Sequence, residues 1–112
     1  MSVVLQREST EYVYLGVTGD PPTVGAEVAY LPAGTRPTEP DWHAAVVVGV
    51  GHALWDDAAS SDVTGDYYVA RLIGGYGGND LVLTPGDYQP WVRLTDTIEQ
   101  PVRITPVALE IA

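Results

Sequence analysis

Leu83-Thr84-Pro85-Gly86-Asp87-Tyr88-Gln89-Pro90-Trp91-Val92-Arg93-Leu94 is the stretch on which the fold class turns. Proline followed by glycine marks a tight turn, because proline presets φ and glycine tolerates positive values. Beyond the turn the residues alternate as in a strand, predicted over Tyr88–Thr95. Period two sends Trp91 to the face opposite Tyr88. Pro90 has no N–H to give to a ladder, so an edge position or a bulge is expected there. Outward from this stretch the same unit recurs, a short apolar run closed by proline or glycine. It predicts strands over Val3–Gln6, Glu11–Val17, Ala26–Leu31, Ala44–Gly49, Tyr67–Ile73, Asp80–Leu83 and Val102–Ile111. Pro106 interrupts the last of these and predicts an edge or bulge. The breaks fall at Gly19-Asp20-Pro21-Pro22, Pro32–Pro37, Asp56–Asp66 and Gly74–Asp80. No helical period is convincing; Glu39-Pro40-Asp41 opens at most one turn. The reading is a single all-β domain over residues 1–112.

Composition bounds the function. The chain has 112 residues and a net charge of −10, with five arginines, no lysine and fifteen acids. That field repels free nucleic acid and favours basic partners. No apolar run reaches the ~18 residues of a membrane span. Met1–Glu8 lacks the form of a signal peptide. With no cysteine, thiolate catalysis, disulfides and sulfur-ligated zinc are excluded. The lack of Lys and Phe, with a single Asn, points to a GC-rich genome.

The candidate chemistry is sparse. His43 and His52 are the only histidines. A metal site would need Asp41, Asp56 or Asp57 beside them; turn and rim positions are the simpler reading. Ser60 or Ser61 with His52 could sketch a hydrolytic triad, but no Gly-x-Ser-x-Gly elbow is present. No cofactor is expected. Asp56, Asp57, Asp62 and Asp66 offer carboxylates for weak calcium binding, but without EF-hand spacing; the alternative is a solvated acidic loop. Trp42, Trp55 and Trp91 could stack on a surface glycan if they shared a face. One at least is expected in the core, since the chain has no Phe. Tyr76, between paired glycines, is an expected contact point, as is Arg36 in the proline-rich loop. Arg93 and Arg103 flank the last hairpin, where they could lie across from each other or from Glu11 and Glu110, or dock onto an acidic patch of a neighbouring subunit. The chain is expected not to be an enzyme.

Two resemblances sharpen this. Leu83-x-Pro85-Gly86-x-Tyr88 followed by an alternating strand resembles the corner of immunoglobulin-like and fibronectin-type domains. The resemblance implies an immunoglobulin-like antiparallel β-sandwich of about seven to eight strands. Tyr88 would then be largely buried, its hydroxyl bonded back to Leu83–Pro85, with Pro90 where antibody domains carry a cysteine. The run Gly86–Asp96, followed by Pro101-Val102-Arg103, resembles small virion proteins of tailed phages infecting actinobacteria, of head or neck accessory type. It implies a structural module of the virion, docked to other virion proteins in a repeating assembly. The contact residues would then include Arg36, Tyr76, Trp91, Arg93 and Arg103. The terminal segments Val3–Gln6 and Val107–Ile111 would offer open strand edges. A decoration or adhesin-like module contacting host carbohydrate is the alternative.

Overall fold

The computed structural model describes residues 2–105 and 107–112, the side chain of Ser2 excepted, so the expectation at Pro106 lies outside the described residues. Strand takes up 43% and helix 10%, which makes the chain all-β. The strands are β1 (Ser2–Leu5), β2 (Glu11–Val17), β3 (Gly25–Leu31), β4 (His43–Val48), β5 (Tyr67–Ile73), β6 (Gly86–Thr95), β7 (Val102–Ile104) and β8 (Ala108–Ile111). They form one mixed sheet in the order β1-β8-β6-β3-β4-β5-β2, with β7 also on β6.

The sheet has two wings hinged at β4. His43–Ala45 pairs with β3, and Val46–Val48 pairs with β5. Where β4 leaves β5, Arg71 takes over the exposed backbone by donating to the Ala44 carbonyl at 3.0 Å. One hydrophobic cluster draws on both wings, with Val13, Leu15 and Val69 from one and Val28, Val92 and Leu109 from the other. Burying these side chains is the main stabilising term, at roughly 1.5–3 kcal/mol each.

The expectation of antiparallel pairing throughout needs correcting, because β1 and β8 run parallel from Ser2↔Ala108 to Leu5↔Ile111. No hairpin links these strands, so nothing forces them antiparallel. Val107–Ile111 is also not an open edge, since β8 lies between β1 and β6.

Three further departures have local causes. The long final strand is split in two opposite Pro90. There β6 changes partner from β8, at Tyr88↔Leu109, to β7, at Trp91↔Ile104. Pro90 thus sits in a central strand, not at an edge, and its missing donor coincides with the gap between β7 and β8. The Gln89 amide fills that gap, donating to the carbonyls of Thr105 at 2.6 Å and Val107 at 3.3 Å. Asp80–Leu83 forms no strand. The Asn79 amide binds the carbonyls of Leu72, Gly74 and Leu81 and holds the segment without a ladder.

Trp55–Ala59 is a short helix, α1, in what the sequence presents as a polar loop. It packs on the outer face of β2 and β5. Trp55 lies 5.3 Å from the Tyr68 ring, and the Tyr14 hydroxyl donates to Asp57. The chain leaving α1 crosses β2 so closely that a Cβ at Gly16 would sit 2.0 Å from the Thr64 carbonyl oxygen. The single turn at Glu39–Asp41 forms as expected. Asp41 closes it by accepting from the Thr38 N–H and hydroxyl, which holds its carboxyl below the usual carboxylate range.

Candidate functional site

The densest polar arrangement lies on the outward face of β3 and β6. Register places Glu27 beside Arg93 and Ala29 beside Trp91. Arg93 Nε donates to Glu27 Oε1 at 2.9 Å. Its Nη1 donates to Glu39 Oε1 at 2.6 Å, and its guanidinium carbon lies 4.8 Å from the centre of the Trp42 ring. The bonds to Glu39, ahead of the opposing effect of burial, and then those to Glu27 hold the guanidinium charged. Two residues back along β6, Trp91 is covered by Arg36 at 5.4 Å. The proline-rich loop folds back over the sheet, bringing Arg36, Trp91 and Arg93 into one layered cluster of cations on indoles.

This cluster is largely covered by the loop and turn that fold over it. Trp91 and Arg93 are each 8% exposed, so the Arg93 donors and the Trp91 π-face serve mainly to fix the Glu39 turn and the proline-rich loop. Sequence pattern missed Glu27 and Glu39 as partners of Arg93. Their signal was an acid on each flanking segment, readable only once the β3–β6 register is known.

The other candidates lie elsewhere. Tyr76 is 85% exposed, on a 3₁₀ turn between β5 and β6 whose Gly77 has φ 71°. Arg103 lies on β7 beside a cleft that also takes in Tyr67, Asp96 and Glu99. The acids of the Asp56–Asp66 loop diverge. Asp57 accepts from Tyr14 and Asp66 accepts from the Gly19 N–H. Asp62 takes φ 65° in a turn. Among the described residues no three His, Asp or Glu side chains converge as a metal would require. His52 Nδ1 accepts from the Leu54 N–H. Ser60 and Ser61 donate to the carbonyls of Asp57 and Ala58 at the end of α1. The histidine and both serines of the sketched triad are thus bound into local turns at opposite ends of α1.

The three tryptophans do not form a platform. Trp42 lies under Arg93, Trp91 under Arg36, and Trp55 packs on the other wing against Tyr68. The corner expectation fares better, since the Tyr88 hydroxyl donates to the Thr84 carbonyl at 2.6 Å. The ring is only half-buried, however, packed like Leu83 against the margin of the core.

Compared with family models, with curated proteins and with solved structures, the chain matches none.

Proposed function

We propose that the chain is a non-enzymatic structural module of a tailed-phage virion, docked to other particle proteins at the head or neck. The observation that carries this reading is the hairpin of β6 and β7. It holds the Gly86–Asp96 and Pro101-Val102-Arg103 segments in which the resemblance lies, and it presents apolar side chains to solvent. Val102 and Ile104 are 47% and 57% exposed, and Ile98 at the hairpin tip is 90% exposed. Exposed aliphatic residues on a strand with one free edge suit docking better than solvation. Beneath the covering loop Arg93 is bound to both Glu27 and Glu39, which gives a rigid body rather than a reactive pocket. Repetition around a particle makes weak individual contacts sufficient. Trp42 and Trp91 lie under arginines and Trp55 packs on the other wing, which weighs against the carbohydrate alternative.

Mass spectrometry of purified particles from the encoding phage tests the reading. Multiple copies per particle are expected. Particles that lack the chain, with the free protein retained on a polysaccharide column, would overturn it.

A further inference from the structure

The sheet leaves a slot beside β7. Leu94 N–H donates to the Pro101 carbonyl at 2.9 Å and Thr105 N–H donates to Pro90 at 3.1 Å. Bonded pairs alternate along an antiparallel ladder. Pro101, Arg103 and Thr105 therefore face β6, and Val102 and Ile104 turn their N–H and C=O groups away from it. Across the slot runs the end of β2, whose ladder is with β5 on its other side.

Two adjoining cavities fill the slot, of about 250 and 140 Å³, and share Thr18 and Arg103 in their walls. Val92 floors the first and Leu94 the second, both buried. Tyr67 reaches the second. It is 1% exposed, and its hydroxyl has no hydrogen-bond partner among the described residues. A buried hydroxyl without a partner is costly. The rim there carries Asp20, Asp96 and Glu99 against the single Arg103.

We infer that this slot receives an extended segment of a partner protein, added as a strand along β7, with a lysine or arginine side chain reaching Tyr67 and the acidic rim. The inference rests on the docking reading above and names the chemistry of its partner. The backbone of β7 supplies the N–H and C=O groups that strand addition uses. Val102 and Ile104 supply apolar contact. The carboxylates and the Tyr67 oxygen supply acceptors for a cation. A second copy of the chain fits less well, because each carries a charge of −10.

The test starts from a randomised twelve-residue peptide library selected on the intact protein. Enriched peptides should alternate apolar residues and share one basic position. Their amide shift changes should map to Val102–Ile104 and Gly16–Asp20. Ile104→Pro removes an N–H that faces away from β6, so it blocks strand addition and spares the ladder. Asp20→Lys with Glu99→Lys reverses the rim without touching the core. Each change should weaken the best peptide by about tenfold or more. Tyr67→Phe should weaken it while leaving the melting temperature equal or higher. Acidic or patternless enrichment, shifts elsewhere, or affinity indifferent to the rim reversal would overturn the inference. So would a concentration-dependent dimer abolished by Ile104→Pro, which would assign the slot to a second copy. Co-sedimentation with particles separates the two proposals. Wild-type protein that binds particles as well as both slot variants do would sink the slot and spare the docking reading. Wild-type protein that never binds particles would sink docking, whatever the peptides show.

Discussion

Replacing Arg93 by Met removes the guanidinium but keeps an unbranched apolar stem, so the loss reports on its polar bonds and stacking. Its three attachments differ in worth. The bond to Glu39 is short, but the Glu39 side chain is 81% exposed; such a pair is worth about 0–1 kcal/mol. The Glu27 side chain is 32% exposed, and a charged bond at that depth contributes about 1 kcal/mol after screening. Stacking on Trp42 adds about 0.5–1 kcal/mol. Arg93→Met should therefore cost about 1.5–3 kcal/mol. Arg93→Lys should cost roughly half that, since an ammonium keeps one bond and loses the planar fork. Urea denaturation reads this as a fall in midpoint at constant slope. A double-mutant cycle with Glu27→Gln should give a larger coupling than one with Glu39→Gln. The reasoning is refuted if Arg93→Met lies within about 0.5 kcal/mol of wild type, or if Glu39 couples more strongly than Glu27.

Tyr88→Phe should cost about 1 kcal/mol in the same assay, because its hydroxyl bonds backbone but sits at the margin of the core; no measurable loss would remove the corner from the account. Gly16→Ala should destabilise by at least about 3 kcal/mol, through a clash with backbone that cannot rotate away; near-neutral behaviour would show that the chain after α1 does not cross β2 as described. Burial pushes the phenols of Tyr14, Tyr30 and Tyr67 up, with the Asp57 bond adding to the effect at Tyr14. The unfolded phenol ionises near pH 10, so the stability these groups contribute is complete below that pH and is lost as the pH climbs through the higher folded values. Absorbance at alkaline pH should show three tyrosines ionising only as the fold is lost; ionisation of all seven before unfolding would contradict their burial.

Strand positions were legible where period two and hard breaks coincided. Glu11–Val17 and Tyr67–Ile73 end where expected because Gly19-Asp20-Pro21-Pro22 and Gly74-Gly75 stop them. Two kinds of feature were hidden. Asn79 replaces a ladder with one side-chain amide, and no local pattern announces that. Five residues, Trp55–Ala59, are too few to show a helical period, so α1 is visible only through the cost of leaving Ala58 and Trp55 unpacked. The arginines were legible as candidates but not their roles. Arg93 is fixed by register with Glu27 and by a turn twelve residues further on. The slot depends on which strands lack a second neighbour, which is a property of the whole sheet.

The parallel pairing of β1 with β8 has a mechanical consequence. Ser2 lies beside Ala108 and Leu5 beside Ile111, so the described ends of the chain leave from opposite ends of one ladder, ~10 Å apart along the strands. Tension applied between them pulls the two strands past each other lengthwise. The four paired positions then share the load in shear and must yield together, whereas a hairpin pulled from its open end would unzip one bond at a time. A body held at both ends in this way resists stretching at its outermost pair, before any strain reaches the core.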